Sequence, residues 1–409
     1  MNRRRVLGAI FKGFAVLAMF LILGLSALLV TLWREHRTPI DLPTPTGPFA
    51  VGRVVYDWSD DAIDVLAPTP GSKRELLVWI WYPTARRPAA VPSDYLPAPQ
   101  RALFTATRGI LLSKFLTRDL SKVGAHSVAD ARLDPGRQAY PVVIMRAGAS
   151  LEIWNYTALA EDLASHGYVV VGFDAPYRTG VVVFPDGKVI RRTPENNPEL
   201  VSGQELKRRA NRLLAAWTAD IGFVLDRLQQ LNVSDSSGMF TGRLDLAHVG
   251  VFGHSFGGAT AAQFCSQDSR CKAGIDLDGS LHGSVIQSGI HQPFMFLLSG
   301  LGDFSSNSEI QEIVGDIRSV YERMPPDRRL WVVIQGAGHF TFSDDGALLK
   351  SQLLRAALHR VGKLGIDGRR QLAITSYCIH SFFDAGLAPL GAVPLNIRSP
   401  LYSEIQVVE

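Results

Sequence analysis

A serine set among glycines, a histidine on a glycine-rich loop and a few aspartates at strand ends are the residues best suited to chemistry. The serine lies in Gly253-His254-Ser255-Phe256-Gly257-Gly258. It follows the apolar run Val249-Gly250-Val251-Phe252 and precedes the small residues Ala259-Thr260-Ala261-Ala262. Strand, sharp turn and helix in that order describe a nucleophile elbow, which lifts the serine hydroxyl above a sheet in a strained conformation. The flanking glycines keep side chains out of the crossing between strand and helix. GxSxG alone is a weak signal in a glycine-rich chain; the flanking strand and helix make it informative.

A serine hydroxyl needs a base to take its proton, and the base needs a carboxylate to fix its tautomer. His339, in Gly336-Ala337-Gly338-His339-Phe340, stands just beyond the apolar run Leu330–Ile334 and is the expected base. His254 lies inside the elbow, and His166, His359 and His380 fall in or at apparent helices. Three acids compete: Asp276, Asp278 and Asp303. All follow the serine and precede the histidine, the chain order of this class of site. Asp278 stands nearest the end of the run Ala273–Leu277 and is preferred.

The oxyanion formed by attack on an ester carbonyl needs fixed donors. One expected donor is the backbone N–H of Phe256, next after the nucleophile. The other comes from Arg146-Ala147-Gly148-Ala149-Ser150, and the N–H of Ala149 is the choice. Arg146 itself has two readings, a contact for an anionic substrate group or a structural salt bridge. No metal and no cofactor are expected: HExxH is missing, Asp276-x-Asp278 has no histidine cluster beside it, and no phosphate-binding glycine loop follows an early strand.

The elements that must position these groups alternate. Phe49–Trp58 and Leu76–Tyr82 read as strands with no helix between them, an antiparallel start. Strands at Pro141–Met145 and Tyr168–Asp174 flank a helix at Tyr156–His166. Tyr177–Gly203 reads as a loop turning at Pro185-Asp186-Gly187. Gln204–Leu231 has helical spacing, with Leu213, Leu214, Trp217, Ile221, Val224, Leu225 and Leu228 on one face. Strands at Ala273–Leu277, Phe294–Leu298 and Leu330–Ile334 follow, with helices at Glu309–Arg323 and Ala347–Val361. The pattern predicts an α/β fold, a mostly parallel sheet with helices on both faces and a site at the carboxyl ends of its strands. An irregular insertion around 88–137, with an apolar patch at Ile110–Leu116, interrupts it.

The net charge of +4 over 409 residues gives no basic face for a nucleic acid, because Arg3, Arg4, Arg5 and Lys12 account for all of it. Those charges precede the uncharged run Gly13–Trp33, long enough to cross a bilayer. Residues 1–37 are therefore expected to form a single membrane anchor, with the body outside the cytoplasm. A cleaved signal peptide is the rival reading, and Arg3-Arg4-Arg5-Val6-Leu7 fits a twin-arginine export pattern loosely. Residues 38–48 are proline-rich and read as a stiff linker to a catalytic domain at 49–409. Cys265 and Cys271 are either a disulfide or two buried thiols, and Cys378 is left as a small core residue.

Gly253-His254-Ser255-Phe256-Gly257-Gly258-Ala259-Thr260 resembles the elbow of the secreted platelet-activating-factor acetylhydrolases, the group VII phospholipase A2 type. The likeness extends over roughly Phe49 to Val361, and the tail 362–409 beyond it is expected to supply a covering helix and strand. Asp162-Leu163-Ala164-Ser165-His166-Gly167-Tyr168 resembles the passage before the elbow. Gly274-Ile275-Asp276-Leu277-Asp278 resembles the segment whose last aspartate is the triad acid, which favours Asp278 over Asp303. The resemblance implies an α/β-hydrolase fold, a Ser255-His339-Asp278 triad, and calcium-independent hydrolysis of short or oxidised acyl esters, phospholipids among them. Where the family usually reads Ser-His-Gly, this chain has Arg146-Ala147-Gly148. Ungapped spacing to Asp162 puts Ala149 on the oxyanion position, and a backbone donor survives the change of side chains. A dienelactone-hydrolase-like or polyester-cleaving enzyme is the alternative within this fold. A non-catalytic binding protein on the same scaffold is the alternative outside enzymes.

Overall fold

Alternating β-branched and aromatic runs fold into one ten-stranded sheet in the computed structural model, which describes residues 3–85, 92–107, 118–149, 151–300, 308–348, 365–388 and 393–408 and a few positions between 355 and 362. The strands are β1 (Ile40–Asp41), β2 (Ala50–Ile63), β3 (Lys73–Thr84), β4 (Val123–Gly124), β5 (Val128–Ala129), β6 (Tyr140–Arg146) and β7 (Val169–Asp174). Then come β8 (Val181–Val183), β9 (Val189–Arg191), β10 (Leu244–His254), β11 (Cys271–Leu277), β12 (Phe294–Gly300), β13 (Arg329–Gln335) and β14 (Ile405–Val407). The large sheet runs β14-β13-β12-β11-β10-β6-β7-β3-β2-β5. From β13 to β7 all neighbours are parallel. β2, β3 and β7 are antiparallel in turn, as two strands with no crossover helix require.

Alternation along these strands feeds two cores. Trp79, Trp81, Val143 and Met145 point to the face covered by α3 (Thr157–Ser165) and α9 (Gly368–Gly386). Val78, Ile80, Val142 and Ile144 point to the other, covered by α4 (Gly203–Val233), α5 (Phe256–Gln267) and α7 (Ser308–Arg323). The seven apolar positions expected on one face of α4 are all buried. Strands apolar on both sides belong in a sheet covered on both sides, and that pattern marked them.

Several elements differ from expectation. The stretch 177–203 holds a hairpin, β8–β9, closed by the turn at Pro185-Asp186-Gly187, because Phe184 and Lys188 still pair across it. The tail 362–409, beyond the resemblance, does meet its expectation of a covering helix and strand: residues 368–386 form a core helix, and β14 extends the sheet. The apolar patch 110–116, most of the expected helix 347–361 and Asp303 lie outside the described residues. Cys265 and Cys271 are joined, tying the end of α5 to the start of β11, and Cys378 is buried and free.

The proline-rich stretch 38–48 is seated on the body rather than held off it. β1 pairs with β4, Leu42 is buried, and the Thr46 N–H and hydroxyl both donate to Asp162 Oδ1 at 2.8 Å. Gly47 donates to the Ser165 hydroxyl at 2.9 Å. Ahead of it, the apolar helix α1 (Arg3–Arg37) is long enough to cross a membrane and exposes its side chains from Phe11 through Leu29. Arg118 bridges its end to the body, donating to the carbonyls of Glu35 and Leu348.

Candidate active site

β10 ends at His254, and Ser255 takes φ 55° and ψ −123° before α5 starts at Phe256. Few side chains adopt positive φ, and it is paid for here by the surrounding sheet. The Ser255 N–H donates to the Leu277 carbonyl at 2.8 Å, and the Ser255 carbonyl accepts from Gly258 and Ala259. A Cβ on Gly253 would fall 2.4 Å from the Gly257 carbonyl, and one on Gly257 2.5 Å from the Ala147 carbonyl. Both separations are too short for any side chain, so strand, helix and neighbouring loop close around the serine only with glycine at these positions.

Asp278 follows β11 and also has positive φ, 55°. Its Oδ1 accepts from the Ser299 N–H at 2.8 Å, and its Oδ2 accepts from His339 Nδ1 at 2.7 Å. Burial pushes this carboxyl up, but the hydrogen bond and charge of His339 with the Ser299 contacts hold it below the usual carboxylate range. Asp276 points elsewhere. It accepts from the Gly279 N–H, sits under Gly258, and is pushed up by burial to about 8. Such a carboxyl is protonated at neutral pH and unsuited to orient an imidazolium.

His339 begins a short 3-10 turn, His339–Phe342, after β13. Its side chain is 38% exposed, whereas the Asp278 side chain is 13% exposed, so one ring edge is free to face a substrate. The turn is held from the carboxyl-terminal helix. Gln371 of α9 accepts from the Gly338 N–H at 3.0 Å, donates to the Gly338 carbonyl at 2.9 Å and accepts from the Thr341 hydroxyl. Farther along, buried Asp344 accepts from the N–H groups of Thr157 and Ala158 at 2.9 and 3.0 Å and from the Tyr95 hydroxyl at 2.9 Å. It thus binds the open end of α3, where free amides favour an acceptor.

The loop after β6 comes up against the elbow. A Cβ on Gly148 would lie 3.4 Å from Ser255 Cβ. The Gly148 N–H donates to the Tyr156 hydroxyl at 3.1 Å, and that hydroxyl lies 2.7 Å from His254 Nδ1. Burial and the adjoining His339 push His254 down to about 3, so it is neutral, and its Nδ1 accepts a hydrogen bond from the Tyr156 hydroxyl. Arg192 donates to the Ala149 carbonyl at 2.9 Å. Among the described residues, no hydrogen bond uses the N–H of Phe256 or of Ala149. Ala149 also packs on a small apolar group that includes Leu66, Leu213, Trp217 and Phe256. Arg146 serves neither expected purpose: it is buried, and among the described residues it makes no ion pair.

Asp278 and His339 are therefore brought together, Phe256 follows Ser255, and the loop that carries Ala149 meets the elbow at Ala147 and Gly148. Tyr156, Arg192, Gln371 and Asp344 were missed by sequence reasoning. The alternation marked Tyr156 only as a helix start, and nothing local ties the other three to the site. A separate cluster, Asp162, His166 and His380, gathers its ligand-type atoms within 4.8 Å. Its two imidazoles stack face to face with centroids 3.9 Å apart, so their in-plane lone pairs run side by side and do not converge.

A family model described as platelet-activating factor acetylhydrolase, isoform II, matches residues 189–387. A probable 1-alkyl-2-acetylglycerophosphocholine esterase of Arthroderma benhamiae is 26% identical over 395 residues, 89% of this chain and 92% of that protein. The chain is similar to the platelet-activating factor acetylhydrolases. The acetylhydrolase of Bos taurus is 28% identical over 327 residues, covering 74% of this chain and 68% of its own length. A ferulic acid esterase from Streptomyces cinnamoneus superposes with a TM-score of 0.70 at 26% identity, covering 90% of this chain and 99% of that one. The mostly parallel sheet fits the α/β-hydrolase architecture of that neighbour.

Proposed function

We propose that this protein is a member of that family and hydrolyses carboxylic esters with a short acyl chain, on phospholipid-like molecules, through Ser255, His339 and Asp278. The 2.7 Å bond between His339 and Asp278, on the strand-end rim that carries the strained Ser255, is the observation that supports it most. In this reading Nε2 of His339 takes the serine proton while Nδ1–H stays on Asp278. The serine oxygen attacks the ester carbonyl, and the N–H groups of Phe256 and Ala149 receive the negative oxygen. His339 returns its proton to the leaving alcohol. Water, deprotonated by the same ring, then releases the acid from the acyl-enzyme. A fluorophosphonate probe should label the wild type on Ser255 and leave Ser255→Ala unlabelled. Labelling of a folded Ser255→Ala variant, or none in the wild type, would overturn the assignment. The short-acyl reading fails if p-nitrophenyl esters of long acids are turned over faster than the acetate.

A second substrate class is favoured by the structural neighbour, whose name specifies ferulic acid esters. Side-by-side kcat/KM for methyl ferulate and for an acetylated alkyl-glycerophosphocholine separates the two. We further infer that α1 anchors the protein with its body outside the cytoplasm. Amino-terminal sequencing of the mature protein from membranes tests this: a start beyond residue 30 would mean cleavage instead.

A further inference from the structure

Arg146 stands at the head of the loop that carries Ala149, and its surroundings are unusual for a cation. It closes β6 and is only 1% exposed. Its guanidinium lies between two aromatic rings, 4.0 Å from the centroid of Phe173 and 4.2 Å from that of Trp217. Nη1 donates to the Phe173 carbonyl, and Nε has no partner among the described residues. Asp220, the acid acting on it most strongly, already has both oxygens on Arg178, at 2.8 Å each. Asp174 accepts from the Ile153 N–H, and burial pushes it well above the usual range, towards its neutral form. The Arg146 charge is thus left incompletely matched. Burial draws its pKa down to about 10, against the pull of Asp220 and Asp174, so it remains cationic at neutral pH.

The same residue touches the machinery through two routes. Its carbonyl and that of Ala147 lie 2.6 and 2.5 Å from where a Gly257 side chain would begin, in the first turn of α5. Its guanidinium carries Trp217, whose ring meets Phe256 edge-on at 5.1 Å. A positive charge held in an apolar surround acts strongly on charge that develops nearby. We infer that Arg146 is a positioning residue whose buried charge favours the oxyanion and whose stacked Trp217 steadies Phe256, the residue that donates to it. This rests on reading Phe256 and Ala149 as the oxyanion donors.

The experiment compares Arg146→Gln, which keeps a polar N–H group but is neutral, with Arg146→Lys, which restores a cationic group. Each is assayed for thermal melting, kcat and KM on p-nitrophenyl acetate, and affinity for a trifluoromethyl ketone that adds to the serine. Arg146→Gln should lose roughly tenfold to a hundredfold in kcat and in ketone affinity together, with KM little changed. Arg146→Lys should recover most of both, to within about threefold to fivefold of wild type. Equal losses in folded Gln and Lys variants, or a folded Gln variant with wild-type kcat, would overturn the inference. If the Gln variant does not fold, a folded Lys variant that loses a hundredfold in kcat overturns it equally. Loss of Ser255 labelling in the wild type would instead strike the functional reading, so the two failures are distinguishable.

Discussion

The two halves of the candidate site are built by different means. The elbow is local: strand, turn and helix are contiguous from Leu244 to Gln267, and glycines allow the contacts that hold Ser255 at positive φ. The histidine turn is borrowed stability, held by Gln371 and by Asp344 with Tyr95 and α3, partners from 30 to 249 residues away. The nucleophile's turn is thus shaped mainly by its own sequence, with Leu277 and the loop after β6 closing on it, whereas the base is held chiefly by distant neighbours. The second arrangement leaves His339 38% exposed and more easily disturbed.

The contrast can be broken at its strongest point by Asp278→Asn. It should keep the fold and cut kcat by about 10⁴-fold, since the imidazole loses the partner that fixes its tautomer; steady-state rates on p-nitrophenyl acetate check this. Gly257→Ala attacks the local half. With backbone carbonyls 2.5 and 2.6 Å from the new methyl group, it should destabilise by about 3 kcal/mol or more, read by urea unfolding. Gln371→Ala attacks the borrowed half, and here the fold should survive at a cost of about 1–3 kcal/mol. Its kcat should fall roughly tenfold to a hundredfold, since a slack base is misplaced more often than absent. If Gly257→Ala proves mild and Gln371→Ala unfolds the protein, the comparison is reversed.

A pH experiment sharpens the elbow side. Asp276 ionises in the folded state near 8, above its unfolded value of about 3.9. Its contribution is therefore fully present below about pH 4 and is lost as pH rises through 8, by at most about 1.4 kcal/mol per pH unit. Asp276→Asn should flatten the decline of unfolding free energy over that window, measured by urea titration at several pH values. The smallest effect is expected from Cys265→Ser with Cys271→Ser. A loop this short is worth about 2 kcal/mol, seen as a lowered Tm with kcat unchanged.

The same contrast explains what could be read in the chain beforehand. Ser255, Phe256, the strands and α4 announce themselves because periodicity and glycine spacing are local signals. Asp278 was separable from Asp276 by its place at the strand end, and the resemblance reinforced it. Gln371 and Asp344 carried no such mark, since a glutamine in a helix and an aspartate after a turn look ordinary until the chain folds back. The β8–β9 hairpin was missed because Val181–Val183 is too short to show alternation, although its turn was recognised. Arg146 reads in the sequence as a contact for an anionic substrate group or a structural salt bridge; only the arrival of Phe173 and Trp217 from other elements explains its burial without an acid partner.

The seating of residues 40–49 decides where the polypeptide can be cut. Removing the apolar helix at about residue 37 spares Leu42, Thr46 and Gly47 and their hold on Asp162 and Ser165. Trimming twelve residues further, to a start at Ala50, would uncover the Leu42 site and leave the Asp162 and Ser165 side chains without those partners. A soluble version of this enzyme should therefore begin near Thr38, with the proline-rich strip retained as part of the folded body.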